Sequence, residues 1–288
     1  MNVVQFLAST PLAFVFCALV LGLLVGSFLN VVIHRLPIMM QRDWRAQARE
    51  FLELPAEQSS TFNLVLPHSH CPHCDHQIRA WENIPLVSWL VLRGKCASCR
   101  APISRRYPFI ELLCGVLSGY VALHFGFSWQ AGAMLVLTWG LLAMSMIDVD
   151  HQLLPDSIVL PLLWLGLIIN VSGLFAPLPD AVWGAVAGYL SLWVVYWLFK
   201  LVTGKEGMGY GDFKLLAMLG AWGGWQVLPL TILLSSVVGA VLGTVMLRMR
   251  NAESGTTIPF GPYLAIAGWI ALLWGDQITS AYLQFARF

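Results

Sequence analysis

The sequence predicts an all-α polytopic membrane protein, with about eight transmembrane helices and one small polar domain between the first and second of them. Of the 288 residues, 58% are hydrophobic and only 11% are charged, whereas a soluble globular domain carries about 25% charged residues. Apolar runs long enough to cross a bilayer, which takes about 20 residues, recur along most of the chain. This composition excludes a large soluble core and makes the lipid bilayer the first partner that the sequence implies.

The candidate spans follow these apolar runs in order, and the sixth is the shortest. They are residues 11–33, 108–126, 129–147, 157–175, 180–201, 212–224, 227–247 and 259–281. Glycines four residues apart recur inside several spans, and this spacing lets helix backbones approach closely. We expect such pairs to mark helix–helix contacts; they are Gly22/Gly26, Gly115/Gly119, Gly184/Gly188, Gly220/Gly224 and Gly239/Gly243.

The segment 34–107 differs from the rest of the chain because it is polar. It holds 10 of the 16 Lys and Arg, 5 of the 7 His and 4 of the 6 Cys. Lys and Arg concentrate in cytoplasmic loops, so we expect this segment inside the cell and the N-terminus outside. The same topology puts one basic residue outside, Arg287, and five more inside, Lys200, Lys205, Lys214, Arg248 and Arg250. The predicted organisation is a first helix at 1–33, a cytoplasmic domain at 34–107 and a membrane domain at 108–288.

Two C-x-x-C pairs in the cytoplasmic domain predict a metal site. They are Cys71 with Cys74 and Cys96 with Cys99. Two such pairs can surround one tetrahedral Zn²⁺, because each presents two thiolates to one point, and their spacing is close to a known zinc pattern. With all four positions filled by protein, the expected role of the metal is structural. Three histidines crowd the first pair and could replace a cysteine ligand: His70, His73 and His76.

The remaining two cysteines, Cys17 and Cys114, lie in apolar spans and are expected to be small core residues.

Acids near the membrane are more informative, because ionisable groups there are costly and by default indicate function. Asp180 and Asp276 fall at the expected outer helix ends and suit solvated caps. Glu111 opens a helix, where a carboxylate suits the positive end of the helix dipole, and it could pair with Arg105 or Arg106.

Two acidic segments remain, SMIDVDHQLLPDSI and GMGYGDFK, and both fall at cytoplasmic ends of spans in the predicted topology. Asp148 closes the third span and Asp212 opens the sixth, so their carboxylates can lie at a similar depth. Two carboxylates that share a site retain one proton between them. Such a pair can activate water with one member and polarise a carbonyl with the other, as aspartic proteases do. The residues alone do not choose among Asp148, Asp150 and Asp156 for the first member.

The glycines of the second segment suit a site that a substrate backbone must approach. Gly209 and Gly211 lack side chains and could let that backbone pass close to Asp212; a flexible linker between spans is the alternative. Lys214 is expected to be a charge anchored at the cytoplasmic edge, and it could also steady an ionised neighbour.

The chain resembles the type IV prepilin peptidases along essentially its whole length. The matching segments are GSFLNVVIHRLP at 26–37, the pairs CPHC and CASC, RRYPFIELLCG at 105–115, IDVDHQLLPD at 147–156 and GMGYGDFKL at 207–215. The resemblance implies an aspartic endopeptidase of the bacterial inner membrane whose catalytic pair is Asp148 and Asp212. It also implies prepilin and pseudopilin substrates, whose short basic leader is removed at the cytoplasmic face.

The resemblance further implies that the new N-terminal residue is methylated from S-adenosylmethionine. The residues themselves do not lead to this activity, because no G-x-G-x-x-G fingerprint follows a strand, and the methyl-donor site is unassigned. No nucleic-acid partner is expected. The alternative function is an ion- or proton-coupled transporter that uses Asp148 and Asp212 as a relay. An inverted repeat would favour transport, and the sequence has no clear internal symmetry.

Overall fold

The computed structural model describes residues 2–55, 61–249 and 259–286, without the side chains of residues 3 and 242–249. Within these ranges there are helices and two isolated β-bridges but no β-strand, which confirms the all-α prediction. Arg250 and Arg287 lie outside the described residues, and so does the side chain of Arg248. The helices are α1 (Val3–Ser9), α2 (Pro11–Phe51), α3 (Val87–Val91), α4 (Arg106–Phe125), α5 (Trp129–His151), α6 (Asp156–Ile169), α7 (Leu178–Thr203), α8 (Tyr210–Gly223), α9 (Val227–Met249) and α10 (Gly261–Ala286).

The first predicted span is part of a much longer helix. α2 has 41 residues and continues through Pro37 to Phe51, well past the expected end at residue 33. The apolar pattern stops near residue 40, but the following stretch QRDWRAQARE is rich in Gln, Arg, Ala and Glu, which are good helix formers. Hydropathy therefore located the apolar part of the helix, and residue propensity carries the helix onward into the polar segment.

Helix length and composition identify which of the described helices can cross a membrane. Four described helices are long and apolar enough to cross a membrane: Pro11–Phe51, Arg106–Phe125, Trp129–His151 and Leu178–Thr203. Shorter apolar helices occupy Asp156–Ser172 and Val227–Val241. α8 has 14 residues and is about 21 Å long, which is less than the hydrocarbon core of about 30 Å. The chain is a helical membrane protein, and the count of eight spans stays a prediction.

The described chain forms two compact units, Met1–Trp139 and Gly140–Phe288, whose boundary falls within α5. In the first unit α2 packs along α4. In the second unit α8 packs against α6, α7, α9 and α10, and every residue from Asp212 to Trp222 except Lys214 is buried. The short helix α8 is therefore the centre of the second unit. The predicted division into 1–33, 34–107 and 108–288 is a different partition and stays a prediction.

Several of the glycine pairs mark close helix contacts, as the sequence predicts, whereas the surroundings of Gly243 lie outside the described part of the structure. A Cβ added to Gly26 of α2 would lie 2.8 Å from the Cα of Glu111 on α4. In the second unit, Gly184 of α7 and Gly220 of α8 each leave no room for a Cβ because the other's backbone occupies the space. One turn further, a Cβ on Gly188 would lie 2.7 Å from the carbonyl oxygen of Leu216. The two helices thus meet backbone to backbone.

Candidate active site and metal centre

Asp148 lies in the last turn of α5 and is only 5% exposed. Its Oδ2 accepts a hydrogen bond of 3.0 Å from the backbone N–H of Gly261, the first residue of α10. The first N–H groups of a helix have no partner within the helix, and the helix dipole makes that end positive. α10 therefore holds the Asp148 carboxylate with both a donor and a favourable field.

Asp212 is the third residue of α8 and is 7% exposed. Gly209 is the N-cap of this helix, and its carbonyl accepts a 3.2 Å bond from the Asp212 N–H. The N–H of Gly209 in turn interacts with the Asp212 carboxylate. An acid at the third helical position that reaches back to the N-cap N–H is one half of a capping box. The local sequence Gly-Tyr-Gly-Asp thus fixes the carboxylate at the start of a buried helix.

The structure brings Asp148 and Asp212 together although they are 64 residues apart in the chain. Asp148 and Asp212 lie within electrostatic range of each other. Leu154 contacts the backbone next to both of them. A Cβ on Gly211 would lie 2.9 Å from Leu154 Cβ, and a Cβ on Gly261 would lie 3.2 Å from Leu154 Cδ2. Two buried carboxylates from distant segments therefore share one site within the second unit.

The other two acids of the first motif are placed differently. Asp150 is exposed. Asp156 is the first residue of α6, and its two carboxylate oxygens accept bonds of 2.8 and 2.7 Å from Lys214 Nζ. Asp148 is therefore the acid of this motif that is buried, like Asp212, and within electrostatic range of it. Lys214 forms an ion pair with Asp156, which agrees with the second role that the sequence allows beside the edge anchor, that of steadying an ionised neighbour.

The two glycines proposed for the substrate groove differ in their surroundings. The nearest atom to a Cβ on Gly209 would be Asp212 Oδ2 at 3.8 Å, so the backbone there is uncrowded. At Gly211 the space is already taken by Leu154. Gly211 therefore makes room for a neighbouring side chain of the protein. Its role in a substrate groove stays a prediction, as does that of Gly209.

Sequence reasoning missed Gly261 and Leu154. The segment FGPY carries a local signal for a helix start, because Pro262 occupies the second position of α10 and proline is common in the first turn. Nothing local connects that helix start with Asp148. Their sequence separation is 113 residues, and only the packing of the second unit brings them together.

The four cysteines predicted to bind a metal do come together in the first unit. Their sulfur atoms all lie within 4.8 Å of one another. The Sγ atoms of Cys71 and Cys99 are 3.8 Å apart, and those of Cys74 and Cys96 are 4.0 Å apart. A tetrahedral site with Zn–S bonds of about 2.3 Å separates its sulfurs by about 3.8 Å. The arrangement therefore fits one tetrahedral metal ion.

Each cysteine pair is held by the same local turn, at residues 71–76 and 96–101. In each turn the N–H of the first cysteine bonds to the carbonyl five residues later, at 2.9 and 2.8 Å. The residue after the second cysteine has a positive φ in both, 54° and 63°. An antiparallel bridge flanks each turn, His70 with Gln77 and Lys95 with Pro102. The metal centre is thus built from two copies of one turn, each of which presents two sulfurs.

Two of the three nearby histidines have partners outside this cluster: His70 Nδ1 lies 3.0 Å from the carbonyl oxygen of His68, and His76 contacts Glu82. Among the described residues, the group that could hold a metal consists of four cysteines and no histidine. His76 Nε2 lies 3.1 Å from Glu82 Oε2, and the Arg79 N–H together with His76 holds the pKa of Glu82 below its usual value.

Backbone N–H groups of Cys99 and Ser98 lower the pKa of the Cys96 thiol to about 6. Against the effect of the Ala101 N–H, the neighbouring thiols raise the pKa of Cys99 to about 12. The thiols of this cluster therefore titrate together.

The structure also shows where three other residues considered in the sequence lie: Glu111, Cys114 and Cys17. Glu111 is buried, and its carboxylate accepts a 2.8 Å bond from the N–H of Leu86 and interacts with Ser27. Cys114 is buried as expected. The core prediction for Cys17 is wrong, because Cys17 is exposed: the buried face of α2 is the one that carries Ala18 and Gly22.

The fold and these two sites define a polytopic helical membrane protein with a buried aspartate pair in one unit and a four-cysteine centre in the other. Residues 20–125 match the bacterial peptidase A24 N-terminal domain, and residues 135–244 match the type IV leader peptidase family. The chain belongs to the type IV leader peptidase family.

Full-length relatives agree with this assignment. The chain is 85% identical to a prepilin leader peptidase/N-methyltransferase of Stutzerimonas stutzeri and 75% identical to one of Pseudomonas aeruginosa, in both cases over 100% of each chain. It is 63% identical over the full length to a protein of the same name from Pseudomonas putida. No solved structure matches this chain.

Proposed function

We propose that this protein is an aspartic endopeptidase of the membrane that removes the short basic leader of type IV prepilins and pseudopilins and methylates the new N-terminal residue. The observation that carries the peptidase half is the pair of buried carboxylates, Asp148 and Asp212, joined from two distant segments. Family membership and the names of the full-length relatives support both halves. They favour this function over a transporter that would use the same acids as a relay.

Asp148 and Asp212 divide the acid and base work of peptide hydrolysis between them. The ionised carboxylate takes a proton from water as the water oxygen attacks the scissile carbonyl carbon. The protonated carboxyl gives its proton to the carbonyl oxygen, so a neutral tetrahedral intermediate forms. When the C–N bond breaks, the first carboxyl protonates the leaving nitrogen and the second takes a hydroxyl proton back. The pair thus returns to its starting state with one shared proton.

The placement of the two aspartates suits a substrate that is itself a membrane helix. Asp148 lies at the end of α5 and Asp212 at the start of α8, so the site lies where apolar helices end. A prepilin joins a polar, basic leader to an apolar helix, and its scissile bond would occupy the same boundary. Backbone access to Asp212 is least obstructed beside Gly209, so we propose that the substrate approaches on this side.

We propose a bacterial inner-membrane location with about eight spans, a periplasmic N-terminus and residues 34–107 in the cytoplasm. The distribution of Lys and Arg supports this orientation, as 10 of the 16 lie in this one segment. The cytoplasmic aspartates would then face the basic leader, which also stays in the cytoplasm.

We assign a structural Zn²⁺ to Cys71, Cys74, Cys96 and Cys99, because the sulfur spacing and the all-thiolate donor set suit this ion. Bound zinc would hold the two turns together without taking part in peptide cleavage. S-adenosylmethionine would supply the methyl group for the second activity. The residues that bind it stay unassigned.

A cleavage assay with purified protein in detergent tests the peptidase assignment. Asp148→Asn and Asp212→Asn should each lower the rate of prepilin shortening by about 10²–10⁴-fold, the range for loss of a general acid or base. Both substitutions keep the side-chain shape, so expression and zinc content should not change. The exposed Asp276→Asn on α10 is the control and should cleave normally. Full cleavage by Asp148→Asn or by Asp212→Asn would contradict the assignment of these two residues as the catalytic pair.

A further inference from the structure

The connection between α5 and α6 crosses the start of α8 and touches it at two points. Leu154 packs against Gly211, and Asp156 forms an ion pair with Lys214. These two contacts lie on either side of Asp212 in the sequence of α8. The connection itself begins just after Asp148. The short link that follows the Asp148 segment is therefore in contact with α8, the helix that carries Asp212.

The ion pair is sensitive to one degree of freedom in particular, the rotation of α8 about its own axis. Residues two apart on a helix point about 200° apart, so Asp212 and Lys214 lie on roughly opposite sides of α8. The structure agrees, because Asp212 is buried while Lys214 reaches outward to Asp156. Any rotation that swings Asp212 away from Asp148 also pulls Lys214 away from Asp156.

The ion pair contributes little to overall stability, because both side chains are partly solvated. The side chains of Lys214 and Asp156 are 32% and 54% exposed, and exposed ion pairs are worth little to folding. Its geometry is nevertheless well defined, since one Nζ donates to both oxygens at 2.8 and 2.7 Å. Catalysis is far more sensitive to position than stability is: a misplacement of about 1 Å can lower a rate about 100-fold.

We infer that Lys214 and Asp156 are positioning residues that hold Asp212 in register with Asp148. This inference rests on the proposed peptidase function of that pair. The competing interpretation is that Asp156 binds the basic leader of the substrate directly. The structure favours positioning, because the Asp156 carboxylate already has a cation bound to both of its oxygens.

A double-mutant cycle on cleavage kinetics tests the inference. Lys214→Met and Asp156→Asn should each lower kcat about 10- to 100-fold, with KM changed less than about 3-fold. The double variant should lose no more than the worse single variant, because the two side chains act as one unit. Lys214→Arg, which keeps the charge, should recover most of kcat. Lys205→Met, at an exposed lysine of the loop before α8, is the matched control and should behave as wild type.

Three results would overturn the inference: normal kcat in both single variants, losses that add in the double variant, or a rise in KM for Asp156→Asn that scales with the charge of the leader. The last result would support leader binding by Asp156. Thermal unfolding of each variant identifies a loss of folding, and Lys214→Arg keeps the test valid if Lys214→Met unfolds. Wild-type protein and Asp212→Asn are measured in the same assay as the positive and negative controls for cleavage. If wild type fails to cleave, the proposed function itself fails, whereas normal cleavage by wild type and by Lys214→Met contradicts only the positioning role.

Discussion

At the scale of single residues, the candidate site depends on a glycine that the sequence does not single out. Gly261 donates its N–H to Asp148, and a Cβ at this position would lie 2.7 Å from the Asp148 Oδ2 that it holds. A contact that short cannot be kept, so an added methyl group must displace the carboxylate. The backbone of α10 is thus as much a part of the site as the aspartate side chains.

We therefore expect Gly261→Ala to lower the rate of prepilin cleavage by about 10- to 100-fold, because a displacement of about 1 Å can have that effect. Gly275→Ala is the matched control in the same helix, since nothing lies within 4 Å of a Cβ there. In a helix interior this control should be neutral or stabilise the protein by about 0.5–1 kcal/mol. Cleavage rates and thermal unfolding in detergent measure both effects. Equal activity of the two variants would contradict the contact with Asp148.

A second single residue, Asn170, forms hydrogen bonds with the C-terminal end of α8. It is fully buried at the end of α6 and donates bonds of 2.9 and 2.8 Å to the carbonyls of Ala221 and Trp222. Its Oδ1 accepts bonds from the N–H groups of Phe175 and Ala176. One amide side chain therefore makes hydrogen bonds to four backbone groups, two at the end of α8 and two in the chain that follows α6.

Asn170→Ala should lower the free energy of unfolding by about 3 kcal/mol, because each orphaned buried polar group costs about 1–3 kcal/mol and neighbours relax in part. Ser172→Ala, an exposed position on the same short 3₁₀ turn, should change it by less than about 0.5 kcal/mol. Chemical or thermal unfolding in detergent compares the two variants. A loss no larger than that of Ser172→Ala would show that Asn170 is replaceable.

At the scale of helices, the short helix α8 is placed by close backbone contact with α7. Gly184 and Gly220 meet directly, and Gly188 lies against Leu216. Such contacts replace side-chain packing with backbone packing. Because α8 carries Asp212 at its start and Asn170 binds at its end, the position of α8 sets the position of one carboxylate of the candidate pair.

Gly220→Ala should push α7 and α8 apart and destabilise the protein by about 1–3 kcal/mol, the usual range for overpacking. Cleavage should fall in the same variant because Asp212 moves with α8. Gly132→Ala is the control, because a Cβ at that exposed position of α5 meets nothing within 4 Å. Melting temperature and cleavage rate are measured together. A stable, fully active Gly220→Ala protein would contradict the backbone contact.

The elements also mark what can be predicted from this sequence and what cannot. The scarcity of charged residues indicates a membrane protein, and the spacing of the cysteines indicates a metal site. Both can be predicted because each signal lies within short stretches of the sequence. The glycine pairs predict helix contacts for the same reason. The full length of α2, the contact of Leu154 with Gly211 and the bond from Gly261 to Asp148 were missed. The first depends on helix propensity beyond the apolar run, and the other two on contacts between segments distant in sequence.

At the scale of the whole molecule, the two candidate sites lie in different compact units. The four cysteines belong to Met1–Trp139, and both aspartates with the groups that hold them belong to Gly140–Phe288. Each site is thus complete within its own unit. Loss of the four-cysteine site should therefore lower peptide cleavage less than loss of an aspartate does.

The double variant Cys71→Ser/Cys74→Ser tests this independence. Removing two of four thiolates should reduce bound zinc from about one ion per chain to near zero, because a structural site needs all four ligands. The turns at 71–76 and 96–101 should then become sensitive to protease, since metal binding and folding are coupled in small metal-held segments. Cleavage should fall less than in Asp212→Asn, because Gly261, Gly209 and Leu154 all lie in the other unit. Cys17→Ser, outside the cluster, should keep its zinc, and full zinc content in the double variant would contradict the four-cysteine centre.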